Sequence, residues 1–211
     1  MKKILMAVPK GRILDELSPL FARAGLIPEA DFFNDSSRKL IFQTNRQDLE
    51  IVKVRSFDVA TFVKFGAADI GICGLDVLEE FSSAEIFSVL DLKIGKCRLS
   101  IAANKSIAVN FSQKSHVKIA TKYPEIARKY FAKIGIQAEV IKLNGAIEIA
   151  QKLGLCDFIL DLVSSGKTLQ ENDMVESQKI LDVTSRLIVN RASFKTVNSQ
   201  INQLIKIFDA A

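Results

Sequence analysis

The sequence predicts an α/β protein of two similar lobes, each built on a mainly parallel sheet. Three observations carry that expectation. Short apolar runs alternate with helical patterns along the chain, as in βαβ units whose helices cover both faces of a sheet. Apolar residues make up 48% of the 211 positions, enough to fill real cores. The chain also echoes itself. "ILMAVPKGR" and "VKIATKYPE" are each an apolar run ending in a basic turn. "FARAGL" (21–26) and "FAKIGI" (131–136) close the helices that follow, and "KFGAADIGI" (64–72) and "KLGLCDFIL" (152–160) share Lys, Gly and Asp at the same offsets. Three matching blocks in one order give two lobes, with expected limits of 1–92 plus 179–211 for the first and 93–178 for the second.

Each element follows in turn. A first strand spans 4–8 and its helix 12–24, closed by Gly25 as the residue after the cap. "KLIFQT" and "DLEIVKV" flank "NRQ" as a hairpin. Ser56 is the expected cap of a helix over 57–65. A strand at 69–73 leads to a helix at 75–81. "RLSIAA" and "VKIAT" are strands. Pro124 suits the first position of a helix over 124–134, which stops at Gly135. "AEVIKL" is a strand, "AIEIAQKL" a helix, "DFILDLV" a buried strand and "RLIVN" a strand. The last helix, 195–209, sets Val197, Ile201, Leu204, Ile205 and Phe208 on one face, which could pack internally or help dock a partner, with internal packing the favoured reading.

In such sheets ligands bind beyond the carboxyl ends of the strands, and the informative residues fall there. "DLVSSGKTL" (161–169) ends a buried strand in three hydroxyls, a glycine and a lysine, a set suited to phosphate. It is not a nucleoside-triphosphate P-loop, because Asp161 stands where that motif needs its first glycine. "PKGR" places Lys10 and Arg12 at a helix start, and "TKYP" places Lys122 and Tyr123 at the equivalent point of the other half. Arg38, Arg55 and Arg98 lie at or near strand ends, and an arginine fork bonds two phosphate oxygens at once. Glu148 and Asp161 suit ribose hydroxyls or the shell of a Mg²⁺ ion. Singly, a basic turn, a surface ion pair or a first-turn helix charge explains each of these. In one cleft they would make a polyphosphate site. His116, the single histidine, takes no role, and no Ser-His-Asp or Cys-His arrangement is visible.

Composition excludes other classes. A net charge of +5, scattered along the chain, suits small polyanions and not a nucleic-acid groove. Cys73, Cys97 and Cys156 have neither pairing nor metal spacing and are expected as small buried residues of a reducing compartment. The apolar run in "MKKILMAVPKGR" is too short for a signal peptide, and nothing approaches the ~20 apolar residues of a membrane span. A soluble cytoplasmic protein is expected.

These fragments, in this order, resemble the ATP phosphoribosyltransferase family over essentially the whole chain. The most specific block places Glu148, Gly154, Cys156, Ile159, Asp161, Leu162, Ser165, Gly166, Thr168 and Leu169 on the family pattern. Cys156 departs from it, standing where relatives carry Ala, Gly or Ser. "PKGR", "SSRKLI", "AADIGICGLDVL", "GKCRLSIA", "IATKYP" and "LNGAIE" match further blocks. "RSFDVATFV" lacks two prolines common in relatives, but keeps Arg55 and Asp58.

The resemblance implies a fold like the periplasmic binding proteins, with substrates in the cleft between lobes. It implies that N1 of ATP displaces pyrophosphate from phosphoribosyl pyrophosphate, the first step of histidine biosynthesis. Mg²⁺ would be carried by the substrate and held by no dedicated protein ligands. Glu148, Asp161, Ser164, Ser165, Gly166, Lys167 and Thr168 would bind phosphoribosyl pyrophosphate. Arg12, Asp76, Arg98, Lys122 and Tyr123 would bind ATP, with Lys10, Arg38 and Arg55 acting on the departing pyrophosphate. Displacement at a sugar carbon needs alignment and charge stabilisation and no protein nucleophile, in keeping with the residues seen. The chain length resembles the short form, a homodimer within a hetero-oligomer whose regulatory subunit resembles histidyl-tRNA synthetase. The rival class is a non-enzymatic anion-binding module of the same fold.

Overall fold

The computed structural model describes residues 3–34, 36–106 and 114–211. In chain order the described elements are β1 (Ile4–Pro9), α1 (Arg12–Arg23), a 3-10 turn (Ala30–Phe33), β2 (Ile41–Gln43), β3 (Leu49–Val54), α2 (Ser56–Lys64), β4 (Ile70–Gly74), α3 (Leu75–Phe81), β5 (Ile86–Asp91) and β6 (Cys97–Asn104). They continue with β7 (His116–Thr121), α4 (Pro124–Lys133), β8 (Gln137–Lys142), α5 (Ile147–Lys152), β9 (Phe158–Val163), α6 (Lys167–Glu171), β10 (Met174–Val183), β11 (Ser185–Asn190), α7 (Arg191–Thr196) and α8 (Asn198–Asp209). None of these helices is long and apolar enough to cross a membrane.

The chain divides into two units, Met1–Gly95 with Thr184–Ala211, and Lys96–Val183. The divisions fall at Gly95 and Val183 instead of 92 and 178, because β10 stays paired to β6 as far as Val183↔Cys97.

The first unit holds a sheet of order β2-β3-β1-β4-β11-β5. Strands β1, β3, β4 and β5 run one way, β2 and β11 the other. Alternation along β1 decides its faces. Ile4, Met6 and Val8 point into a core shared with Leu17, Leu20 and Phe21 of α1 and with Ile201, Leu204 and Phe208 of α8. Ala7 points the other way, against Val59, Ala60 and Val63 of α2. The apolar face expected of the last helix therefore packs internally.

The second unit holds a sheet of order β10-β6-β9-β7-β8. Here β7, β8, β9 and β10 share a direction and β6 opposes them. Ala102, Ala120 and Ile159 form one core with Ile147 and Ala150 of α5 and Leu169 of α6. Cys156 is buried in that core, so the family departure at this position is a packing one.

The echo between the halves is physical. In each, a helix ends in the same pair of backbone bonds: Gly25 N–H to Ala22 O with Leu26 N–H to Phe21 O, and Gly135 N–H to Ala132 O with Ile136 N–H to Phe131 O. Asp69 and Asp157, the paired acids of the longer block, perform one task. Each accepts the backbone N–H of a residue on the neighbouring strand, Leu5 or Lys118, at 3.0 Å.

Three expectations change. Ser56 opens α2 instead of capping it, and Arg55 occupies the cap position with no side-chain bond. The single helix expected over 195–209 is two, α7 and α8, separated by Val197. Asn190 caps α7 by accepting the N–H groups of Ala192 and Ser193 at 2.9 and 3.0 Å. Strands β5 and β10 and the one-turn helix α6 add to the predicted set.

Candidate active site

In the first unit, four cations gather at one end of the sheet. Strand β1 delivers Lys10, whose N–H bonds Val54 O at 2.8 Å, and Arg12 opens α1. Strand β3 runs parallel with Pro9 opposite Val54, so Arg55 emerges beside Lys10. Strand β2 is antiparallel to β3, with Ile41 opposite Val52 and the Lys53 N–H bonded to Leu40 O. The segment entering β2 thus passes the same end and carries Arg38. Lys10, Arg12, Arg38 and Arg55 are all exposed, and among the described residues none has a carboxylate within ion-pair distance. Like charges held together without acids make a standing attraction for a polyanion. Asp76 also lies at this end, in the first turn of α3, but it is only 4% exposed and offers no open carboxylate.

The segment bearing Arg38 is anchored from below. Lys53 is buried, and its Nζ donates to Phe32 O at 2.6 Å while lying 5.4 Å from the ring centroids of both Phe32 and Phe42. That ties the 3-10 turn to the strand that ends in Arg55.

In the second unit, the carboxyl ends of β7, β8 and β9 fall together, and the start of antiparallel β6 joins them with Arg98 opposite Val163. Strand β9 carries Asp161, half-buried opposite Ser100, then runs into exposed Ser164 and Ser165. Gly166 sits at φ +79°, a left-handed conformation that turns the chain into α6 and that side chains strain to adopt. Lys167 opens α6, Thr168 follows, and both are exposed. The Lys167 N–H contacts the Ser165 hydroxyl at 3.4 Å. Among the described residues the backbone N–H groups of Ser165 and Gly166 donate to no protein acceptor. Glu148 lies in the first turn of α5, half-buried.

Lys122 and Tyr123 follow β7. The buried Thr121 hydroxyl fixes this exit by donating to Leu160 O at 2.7 Å and accepting the Tyr123 N–H at 2.9 Å. Tyr123, expected to bind ATP, is 2% exposed, so its ring is packed inside and offers no open face. Arg98 is not open for ATP either. It bonds Glu176 through Nε and Nη2, and Nη1 donates to Ser164 O at 3.2 Å. Arg98 holds the Glu176 carboxyl below its ordinary range, and Glu176 in turn raises the guanidinium. Glu176 was invisible in the sequence, one acid in the polar run "MVESQKILDV". Burial pushes the Cys73 and Cys156 thiols up, away from the thiolate a nucleophile needs.

Matches to known proteins fit this arrangement. The family model described as "HisG: ATP phosphoribosyltransferase" matches residues 55–210. An ATP phosphoribosyltransferase of Novosphingobium aromaticivorans is 53% identical over 209 residues, covering 98% of this chain and 94% of its own length. The chain belongs to the ATP phosphoribosyltransferase family. It is thus a pentosyltransferase of histidine biosynthesis, and the reading as a non-enzymatic anion binder falls away. The same enzyme of Paramagnetospirillum magneticum is 53% identical over 211 residues, covering 99% of this chain and 96% of its own. Among solved structures, an ATP phosphoribosyl transferase (HisG:HisZ) complex from Thermotoga maritima aligns with a TM-score of 0.82 and 27% identity, over 98% of this chain and 96% of the other. The Bordetella pertussis BvgS VFT2 domain aligns with a TM-score of 0.60 at 12% identity, a likeness of fold alone that fits the expected periplasmic-binding-protein-like lobes.

Proposed function

We propose that the chain joins N1 of ATP to C1 of phosphoribosyl pyrophosphate. The C1–oxygen bond to pyrophosphate breaks as the N1–C1 bond forms. N1 offers a lone pair and carries no proton, so the bond-forming step asks for no general base. The barrier falls instead through alignment and through cations on the departing charge. The observation that carries this reading is the loop Ser164–Thr168. It combines exposed hydroxyls, unpaired N–H groups and a left-handed glycine at the sheet end that also carries Asp161 and Glu148.

The loop takes the 5′-phosphate of the sugar, with Lys167 adding charge. Asp161 and Glu148 take the ribose hydroxyls. Lys10, Arg38 and Arg55 stabilise the leaving pyrophosphate, and Arg12 and Lys122 serve the ATP phosphates. Mg²⁺ enters on the pyrophosphate as part of the substrate. A substrate-borne ion asks for no dedicated protein ligands. The likeness to the HisG:HisZ neighbour supports a catalytic subunit of a hetero-oligomer; the short form, a homodimer, a cytoplasmic location and a histidyl-tRNA-synthetase-like regulatory subunit follow from the family resemblance alone.

The test is to incubate the purified chain with ATP, phosphoribosyl pyrophosphate and Mg²⁺, and follow pyrophosphate and phosphoribosyl-ATP. Both products should appear together and stop on chelation of Mg²⁺. Pyrophosphate without phosphoribosyl-ATP, or neither product with and without the regulatory subunit, refutes the assignment.

A further inference from the structure

The phosphate loop is short, exposed and led by two serines and a glycine. Fixing such a segment costs backbone entropy at every residue. Within the loop the restraint is slight, a contact of 3.4 Å between the Lys167 N–H and the Ser165 hydroxyl. Its later carbonyls are held nearby, Gly166 O by the Gln170 N–H at 3.1 Å and Thr168 O by Asn172 Nδ2 at 2.9 Å, while its first carbonyl is held from another strand. Arg98 Nη1 donates to Ser164 O, the first carbonyl after β9. A lone arginine has many rotamers, and this one has been fixed. Its Nε meets Glu176 Oε1 at 2.6 Å, and Nη2 meets Oε2. Glu176 is itself held by the Ser100 hydroxyl at 2.7 Å.

The strand geometry explains how the acid gets there. Glu176 pairs opposite Ala102, and Ser100 and Arg98 follow on the same face of β6. The register of β10 shifts between Glu176 and Gln178, a bulge that re-aims the side chains beside it. An acid on an edge strand thereby reaches two strands across to the loop, through one guanidinium.

We propose that Glu176 is a positioning residue for binding phosphoribosyl pyrophosphate. It locks Arg98 onto the Ser164 carbonyl, and so presents the N–H groups and hydroxyls of 164–168 in one geometry. Arg98 works through the loop and not on ATP. This rests on the phosphate reading of the loop given above. The directions of the two titrations, Glu176 down and Arg98 up, accord with a charge-assisted pair.

The test compares wild type with Glu176→Gln and Arg98→Met, each checked for a native circular-dichroism spectrum. Either change should raise the KM for phosphoribosyl pyrophosphate about tenfold, leave the KM for ATP within about twofold, and leave kcat nearly unchanged. The double variant should be no worse than the worse single one, because both remove one linkage. Glu176→Asp, which keeps the charge, should recover part of the loss. Equal effects on both substrates, an effect on ATP alone, an additive double variant, or lowered melting with unchanged KM values each overturn the proposal. So does a set of variants that folds in none of its members, since the link would then be structural. A parallel Gly166→Val variant separates the two levels. If it spares the KM for phosphoribosyl pyrophosphate, the phosphate reading itself fails. If it raises that KM while Glu176→Gln does not, only the role of Glu176 fails.

Discussion

At the residue scale, the proposed chemistry falls to groups whose surroundings leave their charge open. Arg55 sits at the cap of α2, exposed, with no acid among the described residues to neutralise it. A preorganised cation on a leaving pyrophosphate contributes about 3 kcal/mol to the transition state. Arg55→Ala should therefore slow turnover roughly a hundredfold with both substrates saturating; a rate within a fewfold of wild type removes Arg55 from that role. Gly166 makes a different kind of contribution. At φ +79° a β-branched side chain costs about 1–2 kcal/mol, and a Cβ there faces Val163 at 4.0 Å. Strain, more than collision, is what a substitution would introduce. Gly166→Val should raise the KM for phosphoribosyl pyrophosphate about tenfold or more and leave that for ATP far less changed, with equal effects on both counting against a phosphate at this loop. Residue identity marked Lys10, Arg12, Arg38 and Arg55 as cations at strand ends, and the structure leaves all four exposed. It did not reveal that Tyr123 and Asp76 are buried or that Arg98 is bonded to Glu176, because whether a polar group faces solvent or a partner depends on neighbours far along the chain. Glu176 lies 78 residues from its partner Arg98, and no local pattern encodes that distance.

At the scale of elements, legibility followed punctuation. The α2–β4 and α5–β9 junctions are bounded by glycine and aspartate, Gly66 with Asp69 and Gly154 with Asp157, whose backbone roles are local. Strand β10 was missed because register shifts at two points destroy the period of two that reveals a strand. Strand β5 has mostly exposed and half-buried residues, a weak pattern for the same reason. The C-terminal break at Val197 was missed because α7 is capped by Asn190, which the sequence places at the end of a strand. The irregular β10 is also where acid should act. Arg98 lowers the Glu176 carboxyl below its ordinary value of 4.5, with burial opposing and Ser100 assisting. A lowered carboxyl stabilises the fold above the unfolded value and loses that contribution as pH falls through the folded one. The melting temperature of wild type should therefore exceed that of Glu176→Gln at neutral pH, and the gap should close as pH drops below about 4.5. A gap that is flat across this range would mean that the carboxylate charge contributes nothing.

At the scale of the whole molecule, the buried apolar faces of the described chain fill separate cores, one on each face of the first unit's sheet and another in the second unit. Helix α8, the one element whose amphipathic face was free to serve either the core or a partner, buries Ile201, Leu204 and Phe208 against α1 and β1. Each sheet ends in one group of polar residues, and both groups are assigned to the reacting substrates. Feedback control requires a further site whose occupancy changes affinity at the first, a coupling that is reciprocal by necessity. The hetero-oligomer proposed above places that further site on the other polypeptide. The isolated chain should accordingly turn over ATP and phosphoribosyl pyrophosphate, and histidine should change neither kcat nor either KM. Titration calorimetry of the chain with histidine should show no binding heat. Adding the regulatory subunit should create both the binding and the inhibition. Clear inhibition of the chain alone, not competitive with ATP, would mean that a histidine site and its coupling are built into these two units.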